Sequence, residues 1–143
     1  MNEGYLIKKF GNKYFIRIDK NHEIVSTLKE ISEKKKIRLG VVSGIGAIKS
    51  CVLGFFNPET KEYSEKTFSE YMEITSLTGN ITRKEKNTYL HLHLNAAGSD
   101  NKTIGGHLVK AVISATSEIV IEEVRGKVNR KFSEEIGLNL IEM

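Results

Sequence analysis

The segment Tyr89-Leu90-His91-Leu92-His93-Leu94 alternates without a break, and this alternation constrains the chain more than any other stretch. Strand side chains repeat every two residues, so Leu90, Leu92 and Leu94 face one way and His91 and His93 the other. The leucine side suits a core, which leaves the histidine side for chemistry. Two imidazoles so placed stand about 6–7 Å apart along the strand. Three of the four histidines lie between positions 91 and 107. The third, in Gly105-Gly106-His107-Leu108, follows a polar loop from Asn95 to Lys102 that is short enough to return the chain as a hairpin. That return would bring His107 beside His91 and His93.

Three convergent imidazoles are a ligand set for zinc or a similar divalent ion. A His-x-His pair plus a distant histidine supplies three nitrogens and leaves a fourth tetrahedral position for a small ligand. Gly105 and Gly106 suit such a site, because without side chains the backbone can approach closely. The competing reading is that all three are half-buried polar residues satisfied by hydrogen bonds. His22, at a helix start, reads as a surface residue. Glu73, in the β-prone segment Met72 to Gly79, becomes a candidate catalytic base only if it shares the histidine face. Nucleophilic catalysis finds little support: Ser43 precedes Gly44, but no Gly-x-Ser-x-Gly elbow occurs, and Cys51 sits in an apolar strand, where cysteine usually packs inertly.

At 143 residues the chain reads as one domain, 1–143, long enough to bury a core without disulfides. One cysteine excludes an intrachain disulfide and a cysteine-rich zinc module. No apolar run reaches the roughly 20 residues of a membrane span, and the N-terminus lacks a signal-peptide pattern, so a cytoplasmic location is expected. The net charge of +4 is compatible with nucleic acid but does not identify it, since the charges are spread along the chain.

Along the chain, residues 4–18 read as a hairpin turning at Gly11-Asn12. A helix follows, capped by Asp19 or Asn21, with Ile24, Val25, Leu28 and Ile31 on one stripe and Lys34-Lys35-Lys36 at its end. Leu39 to Ala47 predicts an apolar strand running into Gly44-Ile45-Gly46, with a second strand from Cys51 to Phe56. The glycines mark a tight bend or a close backbone approach and not a dinucleotide fingerprint, because the third glycine is missing. Asn57 to Lys61 is a turn, and residues 62–82 read as strands broken near Gly79-Asn80. Arg83 to Asn87 is a hairpin tip, residues 109–124 form a core strand carrying Glu118, and Leu138 to Ile141 can supply a last strand.

Four motifs in this order, Ser43-Gly44-Ile45-Gly46-Ala47, Glu73-Ile74-Thr75-Ser76-Leu77-Thr78-Gly79, His91-Leu92-His93 and Gly105-Gly106-His107-Leu108, resemble the PPC domain (plants and prokaryotes conserved, DUF296) from about Tyr5 to Val124. The resemblance implies an α/β (α+β) fold: a mostly antiparallel sheet with one main amphipathic helix and a few short helices, assembled as a homotrimer. It also implies a metal site, plausibly zinc, at His91, His93 and His107, with Glu73 as a neighbour of the site. Plant members join the domain to Arg-Gly-Arg-Pro arms that bind DNA. Here Arg125-Gly126-Lys127 lacks the proline, so DNA binding would need a basic face on the trimer. Three functions follow as expectations: a metal-binding trimer that takes a small ligand, a DNA-binding regulator, and a metal-dependent hydrolase or lyase using Glu73.

Overall fold

The computed structural model describes residues 3–143. Nine strands and one helix follow in the order β1 (Tyr5–Phe10), β2 (Lys13–Asp19), α1 (Ile24–Lys34), β3 (Gly40–Asn57), β4 (Glu62–Phe68), β5 (Met72–Lys84), β6 (Asn87–Ala97), β7 (Thr103–Glu123), β8 (Asn129–Ser133) and β9 (Leu138–Glu142). They form a single sheet in which β1, β2, β7, β3, β5, β8 and β9 are successive neighbours. β4 pairs with the far half of β3, and β6 joins β5 to β7. The strands β3, β5, β6 and β7 therefore pair in a closed circuit. Every pairing of named strands is antiparallel except the short contact of Arg83 on β5 with Asn129 on β8, so the sheet is mixed but mostly antiparallel. Among the described residues the expected short helices are absent, and α1 is the only helix.

α1 forms where the stripe predicts it, and Ile24, Leu28 and Ile31 are completely buried. Its cap is Glu23, not Asp19 or Asn21. The Glu23 carboxylate accepts from Val25 N at 2.9 Å and Ser26 N at 2.7 Å, and also from Ala111 N on β7 at 2.9 Å. One side chain thus satisfies two free amides of the helix start and fastens the helix to the sheet. A glutamate with a third partner displaces the shorter capping residues that local preference favours.

Of two glycine readings, one resolves in favour of close backbone approach and the other changes. Gly44 and Gly46 lie inside the continuous 18-residue β3, with no bend that divides it into two strands. A Cβ on Gly46 would sit 2.7 Å from Ser117 Cα, and one on Gly44 would sit 2.9 Å from Ile119 Cγ1, so the close approach of β7 accounts for both. Gly79-Asn80 does not break β5 either; the break falls at 69–71. A Cβ on Gly79 would lie 1.9 Å from the His91 carbonyl oxygen, so glycine is required by the neighbouring strand. The 83–87 segment is the β5–β6 hairpin, with Glu85 at positive φ in its turn. β8 is an element that the sequence reading did not anticipate.

The core contains the inward residues of these strands with the helix stripe, among them Ile18, Ile48, Leu77, Ile81, Leu92, Leu94, Ile113 and Ile119. Each such side chain contributes about 1.5–3 kcal/mol by leaving water. Cys51 is buried in this core as expected; burial first, and then the Glu70 charge, push its thiol up to about 11, so it stays protonated and inert. Among the described residues no helix is long and apolar enough to cross a membrane.

Candidate metal centre

β6 divides as its alternation predicts. Leu92 and Leu94 are buried, while His91 and His107 are half-buried and His93 is exposed. Register supplies the third imidazole: His93 pairs directly with His107 across β6 and β7, and paired residues share a face. The ring centroids are 5.1 Å apart for His91 and His93, 5.5 Å for His91 and His107, and 5.7 Å for His93 and His107. One ring nitrogen from each residue lies within 4.8 Å of the other two. Zinc–nitrogen bonds of about 2.0–2.1 Å allow ligand nitrogens up to roughly 4 Å apart, so small ring rotations converge these three on one ion. The donor set fits a borderline-soft divalent cation. The exposed His93 side leaves a way in from solvent.

The surroundings of His91 and His107 favour the uncharged form that metals bind. Burial, then the Arg130 charge, then the two neighbouring histidines hold His91 down to about 4, so at neutral pH it is uncharged. His107 is lowered by burial and His93, against an opposing pull from the Glu65 carboxylate.

Three side chains around the cluster were not visible in the sequence. Gly54 on β3 pairs with both His107 and Glu65, which places Glu65 in the same row as the site. Tyr63 crosses above Gly54, where a Cβ would meet the Tyr63 hydroxyl at 2.0 Å, and its ring stands 6.3 Å from that of His107. On the opposite side Arg130, from β8, places Nη2 3.5 Å from His91 Nδ1. Tyr63-x-Glu65 does alternate as a strand should, but only the pairing of β4 with β3 brings it here. Arg130 lies in a tail whose sequence announces only positive charge.

Glu73 behaves differently. Its register partner on β6 is Ala97, four residues beyond His93 and so about 13 Å along the strand. It is exposed, and the structure does not bring it to the cluster. At Gly105 and Gly106 the neighbouring strands come close: a Cβ at Gly105 would meet Asn95 Oδ1 at 1.9 Å and lie 3.2 Å from the Leu94 carbonyl oxygen, and one at Gly106 would lie 3.2 Å from the Gly54 carbonyl oxygen. His22 is exposed, as expected of a surface residue.

Residues 5–125 match the family model of the Plants and Prokaryotes Conserved (PCC) domain. Among solved structures, a Bacteroides thetaiotaomicron protein described provisionally as DNA-binding is 41% identical, with a TM-score of 0.96 over 98% of both chains. A metal-containing protein from Archaeoglobus fulgidus is 33% identical, with a TM-score of 0.84 over 94% of this chain and 96% of that one. A Pyrococcus horikoshii plant- and prokaryote-conserved protein is 26% identical, with a TM-score of 0.84 over 100% and 97%. The comparison with curated proteins returned no match.

Proposed function

The chain belongs to the Plants and Prokaryotes Conserved domain family, and from that premise we propose that it is a homotrimeric, single-domain metal-binding protein. His91, His93 and His107 hold zinc or a similar divalent ion, and the remaining coordination position receives a small ligand. The observation that carries this reading is the convergence of three imidazole nitrogens, within 4.8 Å of one another, from two directly paired strands. The metal-containing Archaeoglobus relative supports it. A bound ion would supply Lewis acidity to the ligand at the fourth position; Tyr63 and Glu65 stand on the His107 side of the cluster from β4, and Arg130 backs His91.

Self-association is supported by the outer face of the sheet. Leu6, Phe15 and Ile45 are each more than half exposed there, and they line one groove with Arg17, Glu118 and Val120. Thr78, which pairs with His93, also lines this groove, so the subunit contact would border the site. Sedimentation equilibrium tests the trimer: Phe15→Asp is expected to yield monomers, and a monomeric wild type would reject the assembly.

The metal reading is tested by elemental analysis of protein purified without an affinity tag. About one divalent ion per chain is expected in the wild type and none in His91→Ala/His93→Ala; equal, negligible metal in both would end the proposal. A second reading, binding to duplex DNA, draws on the description of the Bacteroides relative and on the net charge of +4. It requires a mobility shift at low salt that weakens steeply as salt is added, and its absence at micromolar protein would remove it.

A further inference from the structure

Arg130 is 8% exposed and forms no ion pair among the described residues. Its guanidinium donates to neutral acceptors only: Thr82 Oγ1 at 2.8 Å, the Asn139 carbonyl at 3.0 Å and Asn80 Oδ1 at 3.0 Å. The Tyr89 ring lies 4.8 Å from it. Arginine cannot shed its proton, so this is a permanent buried positive charge without a counter-ion, which is costly unless something compensates it. The charge sits beside His91.

Imidazoles that ligate a metal do so in their neutral form and contribute no charge. A divalent ion at their centre would therefore raise the local charge from about +1 to about +3. The Glu65 carboxylate acts on His107 but is itself exposed, so it offsets little of this. We propose that the remaining ligand of the three-histidine site is a small oxyanion, a carboxylate being the simplest, and that the Arg130 guanidinium selects it over neutral ligands. Arg130 acts through space from behind His91, holding its charge fixed by three side-chain and backbone acceptors. The inference rests on the metal reading above and adds the class of ligand to it.

The sign of the effect is distinctive. Arg130 repels the bare cation and attracts the anion, while cation and anion attract each other, so that metal and anion should each tighten the binding of the other by the same factor. The full chain, stripped with a chelator and titrated with Co²⁺ at constant ionic strength, provides the test through its visible spectrum. Acetate is expected to tighten Co²⁺ binding and change the spectrum, while acetamide, its neutral counterpart, does neither. In Arg130→Met the acetate effect should shrink by roughly tenfold or more, with Co²⁺ alone bound no more weakly than by the wild type. Arg130→Lys, which keeps the charge, should retain most of the acetate effect. Acetate and acetamide acting alike on the wild type would overturn the proposal, and so would a full acetate effect in a folded Arg130→Met. Should Arg130→Met lose its circular dichroism, the wild-type comparison decides alone. Failure to bind Co²⁺ at all would sink the metal reading and this inference together, an outcome distinct from bound Co²⁺ indifferent to acetate.

Discussion

The two faces of β6 are built from the same backbone and do opposite work. On one, Leu92 and Leu94 are about 1% exposed and lock the strand into the core. On the other, His91 and His93 meet His107 in a half-open cluster that contributes little to packing. The leucine face needs only to be apolar and correctly spaced, so it tolerates many neighbours. The histidine face has meaning only if one particular residue of β7 arrives in register, and a slip of one residue would turn His107 away. A strand can thus carry stability and chemistry independently, provided its neighbours fix the register.

That separation can be broken from either side. The largest effect is expected from Leu92→Ala, which should lower folding stability by about 2–5 kcal/mol in denaturant titrations. The folded fraction should still bind metal at the wild-type ratio. His93→Ala should do the reverse: metal affinity falling ~100-fold or more, above the range for merely orienting partners, with stability of the metal-free protein within about 0.5 kcal/mol because the side chain is exposed. Competition with a chromophoric chelator measures the first quantity, and urea unfolding the second. Gly79→Ala tests the point where the faces are joined, since its Cβ would press on the His91 carbonyl while Gly79 pairs with Leu92. We expect a loss of ~1–3 kcal/mol together with weakened metal binding; either loss alone would show that the two faces are less tied at this point than the contact implies.

The smallest effect is a pH dependence of the metal-free protein. His91 is held at about 4 in the folded chain against 6.5 when free. As pH falls, the unfolded chain takes the proton first, so the contribution of neutral His91 is fully present above about 6.5. It is lost progressively as pH falls through the window down to about 4. Thermal unfolding at pH 7 and pH 4.5 in the presence of a chelator should show the drop, and His91→Gln should flatten it. An unchanged slope in that variant would assign the acid sensitivity to other groups.

Much of this was legible in the sequence. The alternation at 89–94, the stripe at Ile24, Leu28 and Ile31, and the order of motifs gave the helix, the histidine strand and the family, because each depends on residues near one another in the chain. Glu73, Tyr63, Glu65 and Arg130 depend on something else. Glu73 sits in the right segment but four β6 residues past His93, a distance set by the β5–β6 register and a bulge between Ile74 and Ser76. Tyr63 and Glu65 reach the site through β3, and Arg130 through the β8–β9 hairpin. The Gly79 break failed for a related reason: glycine there answers a carbonyl on another strand, and that pressure leaves no trace in the local sequence.

The closed circuit of strands also bears on the order in which the molecule can be made. β6 and β7 are consecutive and joined by a short loop, so the three imidazoles can meet once a single small loop has closed. β2 and β7, by contrast, must find each other from opposite ends of the chain, with Lys13 opposite Glu122. Loop-closure entropy rises with loop length, and long-range pairing slows folding. The β5–β6 and β6–β7 hairpins are therefore the parts of the circuit that close with the least search, and an ion captured at the second would fix the β6–β7 register before the remaining strands arrive. In that role the metal would be an assembly factor as well as a functional one, and refolding in chelator should be slower than refolding with the ion present.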